Sequence, residues 1–375
     1  MSSTLAIVAF FLGLLIVILI HEAGHYAVAR HFGFKVEEYF VGFGPRLWST
    51  RRGEIEYGVK ALPLGGYVKI AGMNPYEPVA PEDLPRSYGE KPIWQRALVI
   101  FSGPGSHFIV AAVLFACALF FYGDPAKTIP VVGTVEATLN GAPSPAALAG
   151  LKPGDTIVAV GDVQNPTDDQ LHDVLSVAAP TSTALTFTIL RDGTTLQIQM
   201  TPVAVKDAQG NPIGRIGVEL SPDYVHPGVL ASIGGGIKLV GDSITASIHQ
   251  IGQVFGPHGI GRIGDLLFTN TPRTQNDPTS VVGIGQQVGA TGAAGDWGQI
   301  LYLLAFVTVF IGLVTLIPLP PFDGGHLFVL LIEKVRGKAV DMRKLIPVSA
   351  VVMSFLVVFV LANVYLDIAK PIPSP

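Results

Sequence analysis

The sequence predicts a polytopic α-helical membrane protein, with four transmembrane helices and one inserted extracytoplasmic α/β domain. Three observations predict it. The chain is 49% hydrophobic and only 14% charged, where soluble domains run near a quarter charged. Four apolar runs reach the ~18 residues that a bilayer-crossing helix needs. Between the second and third lies a long stretch with the alternation and turn residues of a soluble domain.

The first helix occupies residues 1–30. It is apolar from Leu5 to Ile20 and continues as an amphipathic stretch to Arg30. No Lys or Arg precedes Arg30 and no small-residue cleavage site follows the run, so it reads as retained rather than as a signal peptide. Residues 31–96 form a basic segment, and residues 97–122 the second helix. Residues 128–205 read as a mixed α/β module. Residues 155–163 make a strand entering a turn at Gly161-Asp162, and Thr167-x-x-Gln170 is a capping box opening a helix towards Ala178. Leu185, Phe187 and Ile189 alternate with threonines, Asp192-Gly193 turns the chain, and residues 196–200 alternate again. Within residues 206–300, residues 229–254 carry Ile233, Ile237, Val240, Ile244, Ile248 and Ile251 at helical spacing. They predict an amphipathic helix on the membrane surface or against the module. Gly259-x-Gly261-x-x-Gly264 matches the dinucleotide fingerprint in letters only, because no strand precedes it. The third helix covers 301–318, a Pro- and Gly-rich segment follows at 319–326, and the fourth helix covers 345–366.

Lys and Arg concentrate between the first two helices and again in residues 334–344, whereas the C-terminus carries only Lys370. The positive-inside rule then places both termini and the module outside a cell membrane and both basic segments inside. The apolar runs make the lipid bilayer a partner, and a net charge of −4 excludes a polybasic nucleic-acid binder as the first reading, so nucleic acid is not expected as one. A single cysteine, Cys117, excludes a disulfide framework and a Cys-rich zinc ribbon.

The chemistry sits inside the first helix, at His21-Glu22-Ala23-Gly24-His25. Two histidines at this spacing share one helical face and can chelate a Zn2+ ion, with Glu22 placed to take a proton from a zinc-bound water. Arg30 marks the inner boundary, and at 1.5 Å per residue His21 lies roughly 14 Å inside it, too deep for short side chains to reach water. Ionisable residues at that depth are functional by default. Zinc needs a third protein ligand, and the candidates are His107, Asp323 and His326. Asp323 is favoured, since prolines 318, 320 and 321 end the helix before it and Gly324-Gly325 let the backbone bend after it. A broken segment at membrane depth is tolerated where it faces a polar cavity. His107 follows another break, Gly103-Pro104-Gly105.

Gly150-Leu151-Lys152-Pro153-Gly154-Asp155 resembles the corresponding turn of bacterial PDZ domains, which bind peptides. The His-Glu motif in the first helix, Phe322-Asp323-Gly324-Gly325 after the third and the inserted PDZ-like domain together resemble the site-2 proteases, a family of intramembrane zinc metalloproteases. Val41-Gly42-Phe43-Gly44-Pro45 and Leu64-Gly65-Gly66-Tyr67 are similar to the branch that cleaves bacterial anti-sigma factors, and residues 36–72 are closest to actinobacterial members. The resemblance implies that His21, His25 and Asp323 bind zinc and that Glu22 is the catalytic base. It implies a membrane re-entrant β-hairpin at 58–73 that presents the substrate as an extended strand. The implied partners are single-pass membrane proteins, anti-sigma factors among them, cut within the membrane after a first cleavage, and a peptide ligand of the PDZ-like domain. Two positions depart from the family: Thr315 and His107 stand where it commonly has Asn, which leaves the oxyanion donor open. Two other readings are a metal transporter and an inactive PDZ-containing membrane protein. The first lacks a polar path above His21, and an intact Glu22 argues against the second.

Overall fold

No proline interrupts the first apolar run, and it forms one helix, α1 (Ser3–His31). Strands β1 (Val36–Arg52) and β2 (Ile55–Ile70) follow. They join at Gly53, whose φ of 63° suits a tight turn. A hairpin confined to 58–73 is not what forms. The ribbon is longer and curls on itself, so that Tyr39, Phe40 and Val41 each have partners both at 66–68 and at 57–59. Bulges and bends set this double pairing, and local alternation carries no trace of it. The loops at the ribbon's far end expose Phe43, Leu47 and Leu62. Helix α2 (Ile93–Tyr122) contains Pro104, which cannot donate its share of the helical hydrogen bonds.

The chain then forms β3 (Asp124–Ile129), β4 (Val132–Val135), β5 (Thr138–Leu139), β6 (Ala142–Pro143), α3 (Pro145–Leu148), β7 (Thr156–Val160), β8 (Val163–Gln164) and α4 (Asp168–Ala178). Strands β9 (Leu185–Arg191), β10 (Thr194–Met200), β11 (Val203–Lys206), β12 (Pro212–Arg215), β13 (Val218–Leu220) and β14 (Asp223–Val225) follow. Six α-helices follow among the described residues: α5 (Val229–Phe255), α6 (Pro257–Phe268), α7 (Val281–Ala293), α8 (Trp297–Thr315), α9 (Asp323–Arg336) and α10 (Ile346–Ala369).

This computed structural model describes residues 3–206, 212–221, 223–274 and 277–372. It divides into two compact units, one of Met1–Ala118 with Val229–Pro375, the other Leu119–Gly228. The second unit is wider than the 128–205 read from sequence. Strand β13 pairs back to β4, and β14 pairs back to β3, across more than eighty residues of chain. Its core holds Ile157, Val160, Leu171, Leu175, Phe187, Ile189 and Ile216. Thr167 and Gln170 cap α4 reciprocally, and Asp192 and Gly193 turn β9 into β10 with positive φ of 50° and 77°. Asp155 is fixed by Arg191, whose Nε stands 2.7 Å from its carboxylate, and Arg191 also donates to the Gly150 carbonyl at 2.9 Å.

In the first unit, α8 packs against α1 and α5. Small residues allow close approach. Gly285, Gly289 and Gly292 of α7 lie on Phe11, Ile7 and Ala6 of α1, and Gly312 of α8 lies on His107 of α2. Among the described residues five helices are long and apolar enough to cross a membrane, one more than the four expected. The fifth is α5. It differs from the others in carrying Lys238, Asp242, His249 and Gln253 along one exposed line, with bonds from Lys238 to Asp242 and between Gln253 and His249. Its buried line is Ser232, Gly236, Val240, Ser243 and Ser247. At its end the Phe255 ring lies 5.0 Å from that of Phe359 in α10. Helix α6 then runs back beside α10, and the Lys370 ammonium donates to the carbonyls of Leu266 and Thr269 at 2.8 and 2.7 Å.

A candidate metal centre between three helices

His21 and His25 lie one turn apart on α1, both less than a tenth exposed. Their Nε2 atoms stand 3.1 Å from each other. Asp323 begins α9, and its Oδ2 stands 3.2 Å from His21 Nε2 and 3.5 Å from His25 Nε2. Each of the three offers one ligand atom, and these atoms lie within 4.8 Å of one another.

The chain reaches this arrangement through close backbone packing. Helices α1 and α2 touch where Gly24 faces the Ser102 carbonyl, 2.6 Å from where a Cβ would stand. Gly103 passes directly over the imidazoles. A Cβ there would lie 2.8 Å from His21 Cε1 and closer still to His25 Nε2. Gly324 and Gly325 are needed for a different reason from the bend expected. Neither has a positive φ. The chain instead doubles back over the first turn of α9, so that added Cβ atoms would strike Ile317 O at 2.5 Å and Leu319 C at 2.6 Å.

The donor set fits a divalent cation. His25 Nδ1 lies 2.8 Å from the Val99 carbonyl, which can only accept, so Nδ1 carries the proton. In the neutral ring Nε2 then presents a lone pair, and that lone pair faces the Asp323 carboxylate and the other imidazole. Acceptors gathered around one point call for a cation, and two imidazole nitrogens with a carboxylate oxygen suit zinc. Glu22 stands outside the converging set, with its Cγ 3.2 Å from where a Cβ on Gly66 of β2 would be.

The other sequence candidates separate clearly. His107 is 2% exposed, and its ring centre lies 5.0 Å from that of His21. It is not among the three converging residues, and its Nδ1 has no hydrogen-bond partner among the described residues. His326 lines a cavity of about 200 Å³ with Met73, Tyr76, Pro320 and Ile346 and is likewise outside the set. The Thr315 hydroxyl donates to the Gly312 carbonyl of its own helix at 2.9 Å. Sequence reasoning missed Gly103 as a site residue. Its signal was a glycine beside a proline inside an apolar helix, which reads equally well as a simple kink.

The sequence profile described as Peptidase family M50 matches residues 9–360. Zinc metalloprotease Rip1 of Mycobacterium tuberculosis is 34% identical over 404 residues, covering 98% of each chain. The Rip1 of Mycolicibacterium smegmatis is also 34% identical, over 416 residues and 98% of each chain. A putative zinc metalloprotease of Brucella suis is 31% identical over 354 residues, covering 89% of this chain and 87% of its own. Among solved structures, the PDZ domain of an SdrC-like protein from Listeria monocytogenes is 19% identical, covering 27% of this chain and 90% of its own. Its TM-score of 0.20 establishes no common fold.

Proposed function

The chain belongs to peptidase family M50, the site-2 proteases, and is an intramembrane zinc metalloprotease; we propose that His21, His25 and Asp323 hold its zinc and that Glu22 is its proton-transfer group. The observation that carries the assignment is the convergence of two imidazole nitrogens and one carboxylate oxygen within 4.8 Å. Zinc, when bound, polarises the scissile carbonyl and lowers the pKa of its water. Glu22 accepts that proton at its carboxylate and returns it to the departing amine. Val99 holds the His25 tautomer through its carbonyl, and Gly103 keeps the space above both rings clear.

Membrane proteins are the substrates, and single-pass proteins such as anti-sigma factors are the class proposed. A membrane helix hides its carbonyls in its own hydrogen bonds, so cleavage requires local unwinding. The β1–β2 ribbon, re-entrant beside α1, offers strand partners for the exposed backbone. The finer topology is four spans, α1, α2, α8 and α10, with both termini and the inserted unit outside. Helix α5 turns back rather than crossing. Its end packs on Phe359, partway along α10, its exposed polar line is unsuited to lipid, and α6 returns the chain towards the Lys370 end of α10. The inserted unit acts as a PDZ-like filter that binds or screens the outer part of a substrate. Single cysteines at Asp192 and Arg52, in a Cys117→Ala background, test this topology in intact cells. An impermeant thiol reagent should label position 192 and not 52; the reverse pattern would invert the orientation.

Glu22→Gln tests the chemistry. It should keep zinc and fold while losing at least about 10³-fold in turnover, because the proton-transfer and electrostatic contributions go together. Turnover of a model substrate within a few-fold of wild type would sink the mechanism.

A further inference from the structure

Asp323 opens α9, and the far end of that helix carries a second carboxylate, the buried Glu333. Its Oε2 stands 2.9 Å from Arg96 Nη1 of α2, and its Oε1 accepts the Val340 amide at 3.0 Å. The Arg96 guanidinium lies 5.6 Å from the centre of the buried Tyr88 ring. Neither charge takes part in the chemistry assigned above, yet both belong to helices that do. Along α2, Val99, whose carbonyl accepts the His25 proton, is about one turn from Arg96, and Gly103, which passes over both imidazoles, is about two. Along α9, Glu333 stands about 15 Å from Asp323. The pair thus ties the helix bearing the third ligand to the helix that orients and covers the other two, at the ends away from the metal.

Two buried charges are not needed to hold helices together, because an apolar pair of similar volume often stabilises as well or better. What an ion pair adds is direction: one rotation and one height of each helix against the other. Helix α9 needs both to be fixed. Beyond its doubled-back first turn, Leu327 packs on the buried cluster of Ala29, Phe34, Val99 and Ile100, while Phe328, Leu331 and Val335 are exposed. A slip by one residue turns a helix by about 100° and shifts it by about 1.5 Å. Metal ligands keep their distances to within about 0.2 Å, so a fraction of that slip displaces the Asp323 carboxylate from its place.

We propose that Arg96 and Glu333 are positioning residues for the metal centre: their buried ion pair sets the rotation and height of α9, and so the place of the Asp323 carboxylate against His21 and His25. The inference rests on the zinc-site assignment above.

The test uses the full-length protein in detergent, stripped of metal and titrated with Zn2+ and with Co2+, whose visible absorption reports the geometry of its ligands. Arg96→Met with Glu333→Leu replaces the ion pair by an apolar one, and Glu333→Gln keeps the shape while removing the charge. The apolar pair should unfold at a temperature close to that of wild type, yet bind Zn2+ about 10- to 100-fold more weakly and with an altered Co2+ spectrum. Glu333→Gln should shift affinity and spectrum in the same direction, and it decides alone if the apolar pair does not fold. Wild-type Zn2+ affinity and Co2+ spectrum in either folded variant overturn the proposal. An Asp323→Ala background separates this inference from the ligand assignment. There, changing the pair should have no further effect on residual metal binding, since no carboxylate remains to be placed. A further loss of the same size would mean that the pair acts elsewhere, which also overturns the proposal. An Asp323→Ala protein that binds both metals as wild type does would instead sink the ligand assignment.

Discussion

Two carboxylates in the membrane-embedded unit, the half-buried Asp323 at the start of α9 and the buried Asp367 near the end of α10, have opposite surroundings. Asp367 is met by donors on every side. Arg273 Nη1 stands 2.7 Å away, the Ser280 amide 2.7 Å and the Gly283 amide 3.0 Å, with the Ser280 hydroxyl beside them. Its charge is answered inside the protein, and it ties α10 to the first turn of α7. Among the described residues Asp323 faces only two imidazole nitrogens, and one of those rings has already committed its proton to the Val99 carbonyl. A buried charge that the fold itself satisfies is scaffold. A charge aimed at lone pairs is a socket for something the chain does not supply.

If this distinction is right, removing each carboxylate has a different signature. Asp323→Ala should abolish zinc retention and lower cleavage at least about 10³-fold, while the apo protein stays folded, since a catalytic zinc site needs three protein ligands. Metal content after gel filtration with a weak chelator is the measurement. Full zinc in this variant, with loss in His107→Ala, would replace the proposed set with three histidines. Asp367→Ala should do the opposite. It leaves the Arg273 guanidinium buried with carbonyl acceptors but no carboxylate, at a cost of about 3–5 kcal/mol in stability, with zinc per folded chain unchanged. Thermal unfolding in detergent reads this, and a fully stable Asp367→Ala that loses zinc would collapse the comparison.

Gly103→Ala sharpens it. The new methyl would press on both imidazoles, so zinc affinity should fall by about 10- to 100-fold, the range seen when a ligand's supports are removed. Gly105→Ala is the control, because the nearest atoms its Cβ would meet are those of the Phe101 ring, from 3.3 Å. Equal behaviour of the two would mean that the close pass of α2 over the site has no consequence.

The smallest effect lies in the inserted unit. The Arg191 guanidinium beside Asp155 holds its carboxyl below the usual carboxylate range. A lowered folded pKa stabilises at every pH above the unfolded value of about 3.9, and the contribution is lost as pH falls through the folded one. Asp155→Asn should therefore cost about 2 kcal/mol at neutral pH, and the gap to wild type should close under acid. Hydrogen exchange of β7 and β9 within the full chain measures it. A gap that widens below pH ~4 would reverse the assigned sign.

Much of the site was legible because one helical turn carries it. His21, Glu22 and His25 need only the period of α1 to be placed on one face. Asp323 was legible for a weaker reason, as a carboxylate in a proline-broken apolar segment, and its distance from the histidines was not written in any local pattern. Gly103 was illegible, because the demand for a missing Cβ exists only once α2 crosses α1. The same division holds for the fold. Asp192-Gly193 and the Thr167–Gln170 cap are local, and so they could be read. The pairing of β13 with β4 depends on residues far apart in the chain, and the double pairing of β1 depends on bends that hydrophobic alternation does not encode. Helices α6 and α7 are short and glycine-rich, and their helicity comes from packing rather than from propensity.

Strands β3 and β14 run side by side at the base of the inserted unit, with Asp124 opposite Val225 and Thr128 opposite Tyr224. The chain thus leaves its host and rejoins it at adjacent points. An insert with neighbouring ends adds almost no closure entropy to the protein around it, whatever its size. Such a unit behaves as a cartridge. It can be lengthened, exchanged or cut out across a short flexible bridge between positions 123 and 226. Selection can therefore rework this unit while the residues that converge in the other one stay unchanged.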